Sequence, residues 1–208
     1  MIVDSFSMTD FFALLDEERR PWLDPETLKQ KFVTLSATVH PDKIHSGTET
    51  AKAEAAKKFA TINTAHQSLS DSKSRLLHLL ELELGARPKD IQVIPAELAD
   101  LFAEIAAVCQ RADTVLAGKK ENTSPLLAVQ WFERAQGELD RLDSAQNKLR
   151  PLREQLDRRL KELDKAWTAA GGTDRRGLLP SLEELYRLFS YFNRWDRQIQ
   201  ERRIQLTA

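Results

Sequence analysis

The sequence predicts an all-α protein in two parts, a helical hairpin followed by an antiparallel bundle of three helices. Three observations predict it. Apolar residues recur at spacings of three and four along most of the 208-residue chain, the repeat of one helix face. No stretch shows the apolar-polar alternation of a half-buried strand. Pro and Gly mark boundaries: Pro25, Gly85, Pro125 and the pair Gly171-Gly172 sit where periodic runs start or stop.

Residues 1–8 are expected to fray. Ser7 or Thr9 can cap a first short helix, with Asp10 near its positive end and Phe11, Phe12, Leu14 and Leu15 on its buried face. Asp16 to Trp22 forms a polar loop whose Trp22 turns back onto the core. Asp24 caps the second helix and Pro25 opens it. Leu28, Phe32, Leu35 and Val39 then line one face. His40-Pro41-Asp42-Lys43 ends that helix, because Pro41 drives His40 out of the α region. A polar loop leads to a third helix from about Thr50 to Leu69. Ala51, Ala55, Phe59, Ile62, Ala65, His66 and Leu69 point inward from it, and the two apolar stripes can pack on each other.

Residues 72–84 carry six leucines on more than one side of a helix, a pattern that requires burial on several faces. This segment reads as the joint between a first part, residues 1–84, and a second, residues 85–208. Gly85 stops it, and Pro88 follows. Ile94, Leu98, Leu101, Ile105, Val108, Ala112 and Val115 then keep a coiled-coil-like spacing. Ser124 caps and Pro125 opens the next helix, whose apolar phase includes Phe132, Ala135, Leu139 and Leu142 and holds past Pro151 to Trp167. It is expected to be one kinked helix or two nearly coaxial ones. A last helix, about Pro180 to Ile204, points Leu182, Leu185, Phe189, Phe192, Trp195 and Ile199 inward.

His40-Pro41-Asp42 between two such helices is the most specific local pattern. With Asp10-Phe11-Phe12 before it, and Ala60-Thr61-Ile62-Asn63-Thr64-Ala65 and Arg75-Leu76-Leu77-His78 after it, the order resembles the J-domain of DnaJ-type co-chaperones. More narrowly it is similar to HscB, the J-domain co-chaperone of iron–sulfur cluster assembly. The resemblance covers about residues 9–84. It implies that His40, Pro41, Asp42 and Lys43, with Lys29 and Lys31, dock on a DnaK- or HscA-class ATPase and stimulate it. It also implies a C-terminal three-helix bundle that holds a client, in HscB the cluster scaffold. From the position of that face in HscB, the outer residues of the 95–117 helix to look at are Leu98, Phe102 and Ile105.

The chain departs from the general J-domain pattern in one respect. Val33 to Val39 carries no charge where DnaJ-type helices usually bear several Lys or Arg, and Val39 replaces the usual aromatic. Only Lys29, Lys31 and Lys43 supply steering toward an acidic surface. A dedicated partner fits that arrangement. So does a rival function, a J-like structural adaptor whose helical arm binds a partner without ATPase stimulation.

Composition narrows the remaining classes. The net charge is −1, and neither part has a strong sign, which argues against nucleic acid and anionic membrane as partners. The acidic Met1-Ile2-Val3-Asp4 start lacks a signal-peptide pattern, and no apolar run reaches bilayer length. The single cysteine, Cys109, allows no internal disulfide and suits a reducing cytoplasm. His40 and His45 lack a third metal ligand at usable spacing, and His66 and His78 read as packed helix residues. Arg150 to Lys165 alternates basic and acidic residues, an ion-paired face. The aromatics Trp131, Phe132, Phe189, Tyr191, Phe192 and Trp195 are assigned to the bundle core. No catalytic constellation and no cofactor motif is present, so no enzyme activity, metal or cofactor is expected.

Overall fold

Asp10, rather than Ser7 or Thr9, caps the first helix. Its Oδ1 accepts the amides of Phe12 at 3.0 Å and Ala13 at 3.2 Å, and its other oxygen takes Arg19 at 2.8 Å. A carboxylate serves both the helix's positive end and a cation, which a threonine hydroxyl cannot do. The computed structural model describes residues 9–39, 48–88, 94–121, 124–170 and 174–208. Within these residues only helices and turns occur, so the fold is all-α as predicted. Seven α-helices are described: α1 Phe11–Leu14, α2 Pro25–Val39, α3 Glu49–Ser70, α4 Ser72–Leu84, α5 Ala99–Ala117, α6 Pro125–Ala169 and α7 Leu179–Thr207.

The chain divides into two compact units. The first joins residues up to Lys89 with Arg159–Arg187, so the end of α6 and the start of α7 belong to it; the second comprises Asp90–Arg158 and Leu188–Ala208.

In the first unit α2 begins as the sequence indicates. Asp24 Oδ1 accepts the Thr27 amide at 2.9 Å and the Thr27 hydroxyl at 2.8 Å. Leu28 is buried, and Phe32 stacks on His66 of α3 with ring centroids 4.1 Å apart. Ala55, Ile62, Ala65 and Leu69 fill the inner face of α3. Thr48 caps α3 by accepting the Ala51 amide at 3.3 Å. In α4, Leu76, Leu79 and Leu80 are fully buried, while Leu84 is exposed beside Gly85, whose φ of +68° ends the helix in the left-handed region.

Two polar side chains of α4 are buried as well. Arg75 donates to the carbonyls of Pro21, at 2.7 Å, and Leu69. His78 accepts the Phe11 amide on Nε2 at 3.0 Å and stacks on Phe11 and Phe12. Each satisfies a backbone group that the short α1 and its loop leave unpaired.

The loop of residues 16–24 is held by the last turns of α6. Asp164, buried, accepts Arg20 Nε at 2.9 Å and the Trp22 amide at 3.1 Å, and also takes Arg20 Nη2. Trp167 is fully buried and donates its indole N–H to the Arg19 carbonyl at 2.9 Å. A buried carboxylate needs such paired donors, because desolvation otherwise expels it.

In the second unit α5, α6 and α7 share one apolar core: Ile105, Val108 and Ala112, then Ala135, Leu142 and Leu149, then Phe189, Phe192, Trp195 and Ile199. Ion pairs fix the register of their rims. Lys148 meets Glu104 at 2.6 Å, Arg202 meets Asp113 at 2.7 Å, and Arg203 meets Asp143 at 3.0 Å. α6 runs unbroken through Pro151, so it is one helix. The Gly171-Gly172 stop expected after it lies outside the described residues.

Phe132 departs from its assigned place. It keeps the apolar phase of α6 but is exposed, because the packed part of α7 lies further along the helix. Trp131 and Tyr191 are half-buried, and the other assigned aromatics are buried. Trp131 donates its indole N–H to the Val115 carbonyl at 2.9 Å, and Lys119 sits over its ring at 5.0 Å. Cys109 is a buried thiol, and burial pushes its pKa up.

Candidate chaperone-docking and client faces

His40, Pro41, Asp42 and Lys43 lie outside the described residues, as does His45. α2, which leads to them in the sequence, is described through Val39.

The two lysines of α2 differ in what they can offer. Lys29 is exposed and has no ion pair among the described residues. Lys31 is turned back: it pairs with Glu17 at 3.1 Å and donates to the Asp16 carbonyl. Asp16 holds a φ of +54°, a conformation Asp tolerates better than most residues, and Lys31 ties that turn to α2. Lys31 is thus a fastener within the domain as much as a surface cation.

Past Lys29 the outward face of α2 is neutral. Val33 is 55% exposed at its middle, with Thr34, Ala37 and Thr38 beside it. The two threonine hydroxyls donate to the carbonyls of Gln30 and Leu35, at 3.0 and 2.7 Å, so they add little polarity outward. The uncharged run in the sequence is therefore a real surface property of this helix.

On the second unit, only one of the three expected client-face residues is outward. Phe102 is 42% exposed, whereas Ile105 is 1% exposed and Leu98 is also buried. The correction has a simple cause. Leu98, Ile105, Cys109 and Ala112 share the centre of the α5 stripe, and Phe102 lies at its edge. The Phe102 ring stands 6.4 Å from the Trp195 ring, and the Tyr191 ring stacks with that indole at 6.1 Å. Phe102 and Tyr191 thus both meet a buried tryptophan and form an aromatic ledge. Tyr191 had been assigned to the core; its four-residue spacing from Trp195 is the signal that places it on the same side.

No group of three or more His, Cys, Asp or Glu side chains is placed to hold a metal among the described residues. A cleft of about 310 Å³ lies beside Phe192 between α6 and α7. Its charged rim is already engaged, with Arg153 donating to Asn193 at 2.6 Å and Gln146 to Asp196 at 3.3 Å. Among the described residues, no helix is long and apolar enough to cross a membrane.

Comparison with known proteins agrees with this geometry. Residues 10–78 match the family model for the DnaJ domain. Among solved structures, the chain is similar to chaperone HscB from Vibrio cholerae, at 18% identity and a TM-score of 0.61, covering 95% of this chain and 99% of that one. It is similar to the human co-chaperone protein HscB at 19% identity and a TM-score of 0.61, covering 95% of this chain and 84% of that one. Likeness at such identity speaks to fold, and it covers 95% of this chain in both comparisons. Residues 10–78 thus match the DnaJ domain, and the chain as a whole has the fold of the HscB co-chaperone structures.

Proposed function

We propose that this protein is a co-chaperone of a DnaK- or HscA-class ATPase. Residues 1–84 act as the J-domain, and His40-Pro41-Asp42 stimulates ATP hydrolysis on the partner. Pro41 fixes the loop, Asp42 presents a carboxylate to an arginine of the chaperone, and His40 presents a polar ring. Lys29 and Lys43 steer the encounter, and Lys31 contributes while also holding the Asp16 turn. The helical part, residues 85–208, carries the client on the face around Phe102, with an iron–sulfur cluster scaffold as the client class to test first. The protein performs no chemistry of its own and works in the cytoplasm.

The observation that carries this reading is the match of residues 10–78 to the DnaJ domain, with His-Pro-Asp following directly on α2. The test is steady-state ATPase activity of the DnaK-class chaperone from the same organism, titrated with the full chain. The wild-type chain should stimulate it. His40→Gln should abolish stimulation with no change in melting temperature. Equal stimulation by that variant would refute the mechanism.

A second reading keeps its place on one observation, the neutral outer face of α2 centred on Val33. It makes the chain a J-like adaptor that binds a partner through its helical arm and stimulates nothing. Absence of stimulation by the wild-type chain, with a tight partner on the arm, would favour it.

A further inference from the structure

The first turns of α6 carry a largely exposed apolar stripe. Leu126 is 68% exposed, Val129 58% and Phe132 65%. They recur every three residues, so they share one side of the helix. Along α6, Phe132 lies about 16 Å from Asp143, the residue that pairs with Arg203 of α7.

We infer that this stripe is a contact between two copies of the chain, with the two α6 helices antiparallel about a twofold axis at Val129. Three features choose a second copy. The first is spacing: about that axis Val129 meets its own equivalent, and Leu126 meets Phe132 of the other copy, so the stripe is complementary to itself. The second is charge. Glu133 is exposed and has no ion pair among the described residues. In this pairing it falls beside Pro125 of the other copy, at the positive end of that helix, and the contact repeats on the other side of the axis. A parallel pairing would set the two Glu133 carboxylates together instead. The third is area. The stripe offers on the order of 400 Å² of apolar surface per copy, about half of a standard interface side, so the dimer is a weak one.

The experiment is sedimentation of the full chain from about 5 to 500 μM, a range over which a weak dimer forms as concentration rises. The weight-average mass should rise from 23.8 kDa toward twice that value. Val129→Asp and Phe132→Glu should each weaken association at least tenfold with melting temperature unchanged, since neither side chain is buried. Val129→Cys should give a disulfide-linked dimer under mild oxidant, and Gln136→Cys, off the axis, should not. The native Cys109 is buried and does not compete. A mass that stays at 23.8 kDa throughout overturns the proposal and assigns the stripe to a different partner. Association that survives both substitutions overturns it too, by placing the dimer contact on another surface.

Discussion

Arg20 and Asp164, 144 positions apart, form a two-pronged ion pair that fastens the loop before α2 to the end of α6. The Trp22 amide joins the same carboxylate at 3.1 Å, and the neighbouring Trp167 indole caps the Arg19 carbonyl at 2.9 Å. The far end of a helix thereby supplies the polar partners that the α1–α2 loop cannot find in itself. Asp164→Ala would leave the Trp22 amide and the Arg20 guanidinium without their acceptor. Breaking a fully buried pair costs about 3–5 kcal/mol, and Arg20 is partly exposed, so a loss of about 2–3 kcal/mol is expected. Urea unfolding followed by circular dichroism measures it, and a change below about 0.5 kcal/mol would show that the clamp is incidental.

His78 makes the docking of α1 sensitive to acid. Its Nε2 accepts the Phe11 amide, which requires a neutral ring, and burial holds its pKa below the usual 6.5, against the pull of Asp10. The unfolded chain therefore takes up the proton first as pH falls through 6.5. Stability is constant above that pH with respect to this group and declines below it. His66, stacked on Phe32 and also lowered by burial, adds a decline of the same sign. Melting curves between about pH 7 and 5 should fall for the wild-type chain and fall less steeply for His78→Asn. An unchanged slope in that variant would remove His78 as the source.

The two α2 lysines should separate in experiment. Lys31→Met loses the contacts to Glu17 and Asp16, a half-exposed pairing worth less than about 1 kcal/mol. Its main effect should be on stability, with a smaller rise in the concentration of chain that half-stimulates the chaperone than Lys29→Glu gives. Lys29→Glu should leave stability within about 0.5 kcal/mol and raise that concentration several-fold. With so little charge on the outer face of α2, stimulation should also vary only weakly between low and moderate salt. A steep salt dependence would mean that charges elsewhere guide docking.

The elements of this fold were legible because each has a local cause. Asp24 before Pro25, Gly85 after Leu84 and the stripe of α7 from Leu182 to Ile199 give helix starts, stops and faces without reference to anything distant. What escaped depends on contacts far apart in the chain. Nothing local marks Asp164 as the partner of Arg20, since an Asp in a charge-rich helix usually faces water. Likewise the phase of α6 places Phe132 on the seam, but the ion pair of Arg203 with Asp143 fixes where α7 packs against it. The face around Phe102 failed for a subtler reason. Positions 98, 102 and 105 fall within about 60° of one another around the helix axis, and a difference of that size decides between core and surface, finer than periodicity resolves.

That difference can be tested at Phe102 and Ile105. Ile105→Ala empties a fully packed position and should cost about 2–4 kcal/mol of stability, with client binding reduced only through the fold. Phe102→Ala removes a ring that is 42% exposed and touches the core only at the edge of Trp195, so it should cost about 1 kcal/mol or less. If the aromatic ledge is the client face, the same variant should weaken client binding at least tenfold, the scale of an interface hot spot, and Tyr191→Ala should weaken it in the same sense. Calorimetric titration of purified client into each variant at a temperature where all are folded separates the two effects. Phe102→Ala with full affinity would move the client face off this side of the bundle, because Leu98 and Ile105 are already buried in its core.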